Sequence, residues 1–459
     1  MTYVECKIIN NRRIYLSNLM ITSTHTKLIV FAIMPCFLIS NCVFSSNPVY
    51  SASIDDKTEP MFGNEGTQKQ AIDLSKPHLG VNMRGYHTSM PQSRIAKIIF
   101  PTNYYDESFK ILSNAHVIDH VRFRFYWESY VRNPVQFIKE IENVANTADK
   151  YGVKVLYDNH QFHTSSWLNT DRGTGFPTYL FNDSTLYKQD AGGSPKSAAA
   201  KTWWTNWWNN SITVNGTDGW RLQASYLKMI VNTVDKHSST IGYEILSEPQ
   251  VHNVNQWQKI GKYNTFMTNE LRKLTNKTII YSMNIPIDLK SSIRVNPTNL
   301  AKMTPTNKEN IVFKFSLYGI PSGGYQAQKL DLFLNASKLA GVPLYVGEWN
   351  NVKRVATTNQ MGNKIFEINA NDSDITQADA NIIVQKFKEV DVWGMAYWSW
   401  SFVPEKTPNF NLATVNFDNT TGQRNIQTTN YYEIMKNAYE QLYGQPSERV
   451  FPTASQTSK

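Results

Sequence analysis

The sequence predicts one α/β domain folded as a closed (β/α)8 TIM barrel. Eight short runs rich in β-branched residues alternate with amphipathic segments, a pattern typical of a parallel sheet covered by helices. The chain has 459 residues, of which 41% are hydrophobic, so it can bury a large core. A single barrel with insertions accounts for this length.

The predicted strands lie between residues 78 and 398, and eight parallel strands are the number that closes such a barrel. They cover residues 78–83, 119–125, 153–158, 240–246, 278–283, 310–316, 343–347 and 393–398. The connections carry helical signals: Asn133 and Pro134 predict an N-cap and first turn, and Gly152 predicts the end of that helix. The fifth connection, residues 284–309, has turn residues and little periodicity, so its helix is the weakest prediction.

A long stretch after the third strand, residues 164–218, is rich in Gly, Ser, Thr, Asn and Trp, and we predict an irregular insertion there. In a barrel of this type, the loops that follow the strands form the face that binds ligands. Four tryptophans lie in this insertion: Trp203, Trp204, Trp207 and Trp208. Their indole faces could stack against sugar rings, or they could pack the insertion onto the barrel.

The N-terminal residues 1–53 predict an export segment. Residues 28–39 form an apolar run that is short for a membrane span, and Ser51-Ala52-Ser53 offers small residues for cleavage. We therefore expect a signal peptide and a secreted protein, with a retained membrane anchor at the cell surface as the alternative.

The chain ends and the charge pattern restrict the remaining possibilities. Residues 54–76 and 446–459 are polar and aperiodic, which predicts a linker and a disordered tail around a folded domain at 77–445. The formal net charge is +9, but the basic residues are scattered, so we expect no binding of nucleic acid. We expect a monomer.

Metal and thiol chemistry are not expected in the mature protein. All three cysteines, Cys6, Cys36 and Cys42, precede the expected cleavage site, which excludes disulfides and thiolate metal sites after cleavage. The histidine pairs 116/120 and 160/163 have spacings that a metal could use, but neither carries the acidic residue of a helical zinc motif. We predict no metal and no cofactor.

Two glutamates stand at the ends of predicted strands. Glu248 follows the apolar run 241–246, and Glu348 follows residues 344–347. The C-terminal ends of the strands form the catalytic face of such a barrel, and two carboxyl groups facing each other there can cleave a glycosidic bond. A glutamate at a strand end is by itself more often a solvated residue, so the pair needs further support.

Seven motifs in chain order supply that support, because together they resemble glycoside hydrolase family 5, the cellulase and mannanase family of the clan A barrels. They are residues 80–85 (GVNMRG), 121–123 (VRF), 158–160 (DNH), 242–249 (GYEILSEP), Tyr318, 347–349 (GEW) and 397–400 (YWSW). The resemblance covers nearly all of residues 78–445 and makes 77–445 the expected catalytic domain.

The resemblance implies a role for each matched residue. Glu248 would be the acid/base and Glu348 the nucleophile of a retaining mechanism, with Tyr318 holding Glu348. The implied substrate-binding residues are Arg122, His160, Ser247, Tyr318 and Trp398. The expected activity is that of a secreted endo-β-glycanase that hydrolyses β-1,4-type bonds of a polysaccharide of the cellulose/β-glucan or mannan class.

Three departures from the family pattern keep other functions open. Ser247 replaces the asparagine before the acid/base, Ser316 replaces a histidine of the sixth strand, and Arg124 stands where proline is common. Serine is too short to reach the sugar 2-hydroxyl as asparagine does without movement or a bridging water. The alternatives are a carbohydrate-binding barrel with little or no catalysis, and an exo-glycosidase or transglycosylase.

Overall fold

The computed structural model describes residues 74, 76–89, 103–170, 173–190, 197–283, 295–351, 354–358, 364–368, 375–401, 411–417 and 424–444. The chain divides into two units, Met1–Gln68 and Lys69–Lys459, and every described residue belongs to the second. The predictions of an export segment and a C-terminal tail, and nearly all of the predicted linker, lie outside the described residues. Among the helices that the structure describes, none has the length and apolar character that crossing a bilayer requires.

All eight predicted strands are present and form a closed parallel barrel. In chain order the strands are β1 (His78–Arg84), β2 (His120–Phe125), β3 (Lys154–Asn159), β4 (Thr213–Val214), β5 (Thr217–Asp218), β6 (Thr240–Glu244), β7 (Thr278–Ser282), β8 (Ile311–Tyr318), β9 (Leu344–Asn350), β10 (Arg354–Thr358), β11 (Lys364–Ile368), β12 (Gly394–Tyr397), β13 (Ala413–Phe417) and β14 (Arg424–Thr428). The barrel order is β1-β2-β3-β6-β7-β8-β9-β12, and β12 pairs with β1. The other strands form the antiparallel pairs β4-β5, β10-β11 and β13-β14. The fold predicted from the sequence is therefore confirmed.

Helices connect the barrel strands. They are α1 (Tyr104–Asn114), α2 (Trp127–Arg132), α3 (Pro134–Tyr151), α4 (Ala198–Trp208), α5 (Gly219–Val234), α6 (Gln256–Arg272), α7 (Pro297–Ala301), α8 (Gly324–Ala340), α9 (Gln377–Glu389) and α10 (Asn430–Tyr443), with a short 3-10 helix at Thr178–Phe181. The predicted ends of α3 are confirmed: the Asn133 side chain caps the backbone N–H of Gln136, and Gly152 ends the helix at φ 67°. Of the weak fifth connection the structure describes residues 295–309, and the helix in this part is the five-residue α7.

The insertion after β3 is more ordered than its composition suggests, because it contains helix α4. Ser197 caps this helix by accepting a hydrogen bond from Ala200 N–H, and alanines fill its first turn. All four of its tryptophans are at most 1% exposed. The Trp207 ring packs 4.8 Å from Phe176, and the Trp208 ring packs 5.3 Å from Tyr263 on α6. These tryptophans therefore anchor the insertion to the barrel, and none presents a free face to a sugar.

The barrel interior changes polarity along its axis. One buried cluster is apolar and consists of Leu156, Ile280, Val312, Tyr345, Trp393 and Ala396. Side chains two positions further along a strand point the same way. These positions carry Asp158 on β3, Ser282 on β7, Lys314 on β8 and Gly347 on β9. A polar layer thus lies next to the C-terminal ends of the strands, the end that carries the sites of barrel enzymes.

Candidate active site

Glu348 lies near the C-terminal end of β9, where the pairing of the strands is irregular. The register between β8 and β9 shifts between Phe315 and Ser316, so that Ser316 pairs with Glu348. Such bulges re-aim side chains beside active sites. The Glu348 side chain is 5% exposed; its Oε1 accepts a hydrogen bond from Arg122 Nη1 at 3.0 Å, and its Oε2 accepts one from the Tyr318 hydroxyl. The fold thus brings Arg122 and Tyr318 to Glu348.

The charges around Glu348 keep its carboxyl ionised. Burial raises the pKa of a carboxyl group, but the nearby positive charges of Lys314 and Arg122 outweigh burial and hold the pKa of Glu348 well below its ordinary 4.5. A nucleophilic carboxylate must be ionised to attack, and this environment provides that state at neutral pH.

Arg122 is fully buried and connects five neighbouring side chains. Its guanidinium contacts Asp158 at 2.9 Å, Glu244 at 2.7 and 2.9 Å, Glu348 at 3.0 Å, Ser247 at 3.0 Å and Asn82 at 2.7 Å. Burial lowers the pKa of a guanidinium, but the three carboxylates outweigh it and raise the pKa of Arg122 well above its ordinary value. Such a buried charge is tolerated because each neighbour is a hydrogen-bonding or anionic group.

Glu248 follows β6 and has an unusual backbone conformation. Its φ is 47°, a left-handed value that is uncommon for residues other than glycine. Its backbone N–H donates to Ser282 Oγ at 2.8 Å, and its carbonyl accepts from Gln161 Nε2 at 2.8 Å. Strained conformations of this kind persist where surrounding contacts fix them, often at active sites. The Glu248 side chain is 26% exposed, so it can reach a bound substrate.

Replacement of Gln161 by leucine tests this support of Glu248. Gln161 is buried, donates to the carbonyls of Ser247 and Glu248, and accepts from Thr164 N–H. Leucine would leave these backbone groups unpaired, so we expect Gln161→Leu to lower the free energy of unfolding by about 1–3 kcal/mol. We also expect kcat to fall by a larger factor than KM rises, because displacing Glu248 weakens mainly the interactions that stabilise the transition state. Denaturant unfolding and steady-state kinetics measure both effects, and an unchanged kcat would contradict the proposed support.

Glu248 and Glu348 each have a carboxyl oxygen close to the ammonium group of the same lysine, Lys314. Lys314 Nζ lies 3.3 Å from Glu348 Oε1 and 3.9 Å from Glu248 Oε1. These two distances limit the separation of the two carboxyl oxygens to at most about 7 Å, compared with the spacing of about 5–5.5 Å in retaining glycosidases. The two glutamates, one hundred positions apart in the chain, therefore lie on the same side of the barrel and close to one another.

Three charged residues of the site were missed by the sequence analysis as site residues, namely Asp158, Glu244 and Lys314. Each is fully buried within a strand. Charged residues are almost never fully buried unless they are paired. A lysine in the apolar run 311–315 and a glutamate in 242–246 were the available signal for an interior ion network.

His160 and Trp398 lie side by side at the rim of the site. The His160 Nδ1 is 2.8 Å from Asp158 Oδ2, and the imidazole stacks on the Trp398 ring at a centroid distance of 5.8 Å. Arg124 lies over the same indole, with its Cζ 4.1 Å from the ring centroid. The sequence offered no role for Arg124, which stands where proline is common. The cation–π contact indicates that Arg124 positions Trp398.

A possible metal-ligand group lies at the opposite end of the barrel. Among the described residues it consists of His78, Asp119 and His120, at the starts of β1 and β2. Asp119 contacts His78 Nδ1 at 2.8 Å and His120 Nδ1 at 3.1 Å, so these polar atoms satisfy one another. This group lies at the N-terminal ends of the strands, whereas Glu248 and Glu348 lie toward the C-terminal ends.

Comparisons with known proteins agree with this geometry. A family model described as cellulase (glycosyl hydrolase family 5) matches residues 74–402. The fold is similar to that of endo-glycoceramidase II from Rhodococcus sp., at 14% identity over 78% of this chain and 78% of that chain, with a TM-score of 0.54. It is also similar to an endogalactoceramidase, at 15% identity over 79% of this chain and 80% of that chain, with a TM-score of 0.57.

A search of curated proteins found no significant match. At identities near 15% the similar structures show a shared fold, whereas the family match covers most of the chain and all of the site residues. The chain therefore belongs to glycoside hydrolase family 5 and is a retaining O-glycoside hydrolase.

Proposed function

We propose that this protein is an endo-acting β-glycanase that hydrolyses β-1,4-type bonds of a polysaccharide of the cellulose/β-glucan or mannan class. The observation that supports the proposal most strongly is the pair Glu248 and Glu348, whose carboxyl oxygens both lie within 4 Å of Lys314 Nζ. One carboxyl is buried and held ionised, and the other is partly exposed toward the substrate side. This asymmetry suits a nucleophile and an acid/base.

In the first step, a Glu348 carboxylate oxygen attacks the anomeric carbon while the bond from that carbon to the leaving oxygen breaks. Glu248 gives its proton to the leaving oxygen, which departs as a hydroxyl group. In the second step, Glu248 takes a proton from water, the water oxygen bonds to the anomeric carbon, and Glu348 is released as a carboxylate. The configuration of the sugar is retained because each step inverts it once.

The remaining predicted residues would bind the sugar at the cleavage point. Tyr318 fixes one oxygen of Glu348, and Arg122 fixes the other. Ser247 is buried and accepts from Arg122, and we propose that a bridging water extends its reach toward the 2-hydroxyl. His160 and Trp398 would contribute the rim and floor of the same subsite.

A substrate panel tests the proposed function. We expect hydrolysis of at least one of carboxymethylcellulose, mixed-linkage glucan, xyloglucan and mannan, with oligosaccharide products of several lengths from early times. Release of one sugar unit at a time would instead indicate an exo-glycosidase, and longer products than the starting chains would indicate a transglycosylase. A glycosylceramide belongs in the panel because the similar structures include an endo-glycoceramidase, and exclusive cleavage of this lipid would contradict the polysaccharide proposal.

We also propose that the protein is exported and acts outside the cell. The apolar run 28–39, the small residues at 51–53 and a cysteine-free chain beyond residue 42 support this proposal. N-terminal sequencing of protein from the culture medium should place the first residue near 53, whereas membrane-bound protein that retains residues 28–39 would indicate an anchor.

A further inference from the structure

We propose that Lys314 is a positioning residue for the catalytic pair: its ammonium group holds Glu348 in place and stays beside whichever of Glu248 and Glu348 is negatively charged as the two-step reaction proceeds. The inference rests on the proposed function, because it assumes that these two glutamates are the catalytic residues. Nothing in the sequence motifs assigns a role to Lys314.

The position of Lys314 is built into the barrel. Its side chain is fully buried and extends from the middle of β8 along the interior. A β-carbon at residue 347 would lie only 2.5 Å from Lys314 Cε and 2.7 Å from its Cγ. Glycine at 347 therefore provides the space through which the lysine side chain passes to reach the glutamates.

Two short side chains lie near the catalytic pair, and one of them contacts the ammonium. Ser247 and Ser316 stand where family 5 carries asparagine and histidine, and both are buried. Lys314 Nζ donates to Ser247 Oγ at 3.2 Å, whereas Ser316 Oγ has no hydrogen-bond partner within the described residues. Lys314 thus lies beside Ser247, in space that a longer side chain at 247 would enter, and it brings a positive charge next to the nucleophile.

The distances from Lys314 to the two glutamates allow its ammonium group to stabilise a negative charge on either of them. Before the first step Glu348 is anionic and Glu248 carries a proton; in the covalent intermediate Glu348 is a neutral ester and Glu248 is anionic. The ammonium lies 3.3 Å from the oxygen of Glu348 and 3.9 Å from that of Glu248. Both distances lie within ion-pair range, so the negative charge moves from one oxygen to the other while it remains next to Lys314.

The competing explanation is that Lys314 only neutralises Glu244. Glu244 is fully buried, and its Oε1 lies 3.8 Å from Lys314 Nζ. Yet Glu244 already has Arg122 at 2.7 Å, and the Lys314 contact with Glu348 is shorter than that with Glu244. The charged and titratable groups around Lys314 and Glu348 are Arg122 on β2, Asp158 and His160 on and after β3, Glu244 and Glu248 on and after β6, and Tyr318 on β8.

Lys314→Met tests the proposal, with Lys308→Met as a matched control on the exposed segment before β8. The assay uses the aryl β-cellobioside or β-mannobioside that the wild-type enzyme hydrolyses. We expect kcat to fall by about 10²–10³-fold, the usual effect of removing one preorganised donor at a reaction centre. KM should change little, and Lys308→Met should behave as wild type.

The pH profile separates a positioning role from a structural one. Lys314 helps to hold the pKa of Glu348 below its ordinary value, so we expect activity to persist in the wild-type enzyme as the pH falls toward 4.5. Removing the cation makes the carboxylate harder to form, and the acid limb of kcat/KM should move to higher pH by at least about one unit. A purely structural role would lower activity without moving this limb.

The double variant Lys314→Met/Glu244→Gln decides the outcome if the single variant is unstable. Removing both members of a buried ion pair is often neutral for stability, so we expect the denaturation midpoint to recover while kcat stays low. Recovery of kcat together with stability, or an unmoved acid limb in Lys314→Met, would overturn the role of Lys314 and leave the proposed function intact. Failure of the wild-type enzyme to hydrolyse any substrate of the panel would contradict the proposed function itself and the role of Lys314 with it.

Discussion

Replacing Glu348 by glutamine is expected to lower kcat by about 10⁴-fold or more, because the amide keeps the shape of the side chain but removes the nucleophile. The amide oxygen can take the place of Oε1 and accept from Arg122, and the amide NH2 group can donate to the Tyr318 hydroxyl, so the site should keep its geometry. Sugar binding should therefore remain close to that of the wild-type protein. Steady-state kinetics and calorimetric titration with an oligosaccharide product measure the two quantities separately.

Glu309→Gln is the matched control for this variant, because Glu309 is exposed and lies before β8, remote from the site. It should hydrolyse substrate at the wild-type rate. Turnover by Glu348→Gln at a rate similar to that of the control would reject the assigned nucleophile. Loss of sugar binding in Glu348→Gln would indicate instead that the buried ion network had collapsed.

Replacing Glu248 by alanine should produce a loss that depends on the leaving group. Hydrolysis of a polysaccharide needs a proton donor, and its kcat should fall by about 10²–10⁴-fold. A 2,4-dinitrophenyl glycoside has a leaving group that departs without protonation, so its first step should remain fast and give a burst of dinitrophenol. The measurement is a comparison of burst and steady-state rates for the two substrates.

Azide provides a further readout for the same variant. With Glu248 absent, a small anion can enter the space and attack the covalent intermediate without needing a base. We expect azide to accelerate turnover of the dinitrophenyl glycoside by Glu248→Ala and to yield a β-glycosyl azide. Equal loss on both substrates, with no response to azide, would contradict the acid/base assignment.

The barrel could be predicted from the sequence because the spacing of hydrophobic residues indicates which strands and which helix faces are buried. Each predicted barrel strand is rich in β-branched and apolar residues, and the structure confirms all eight, whereas the short pairs β4-β5 and β10-β11 were not predicted. Helix α4 was not predicted, since residues 164–218 were expected to be irregular. The role of its tryptophans was left open, because tryptophans indicate packing and ligand binding equally well. Its environment depends on Phe176 and Tyr263, and the pattern of a single segment does not reveal such neighbours.

Only the site residues that stand at the ends of predicted strands could be identified from the sequence. Glu248 and Glu348 have that position, whereas Glu244 and Lys314 lie inside strands that were interpreted as apolar. Lys314 and Glu244 are seventy positions apart, and closure of the barrel alone brings them within 3.8 Å. The sequence showed that Ser247 and Ser316 replace the longer residues of the family, but the lysine beside Ser247 became apparent only in three dimensions.

The most direct test of the catalytic pair is to trap the covalent intermediate with a 2-deoxy-2-fluoro-β-glycosyl fluoride of the preferred sugar. Fluorine slows both steps, and fluoride leaves without an acid, so the glycosyl-enzyme should accumulate in the wild-type protein. Mass spectrometry of the intact protein and of its peptides should show one added sugar, bonded to Glu348. A label on any other residue, or inverted product configuration without a label, would contradict the account.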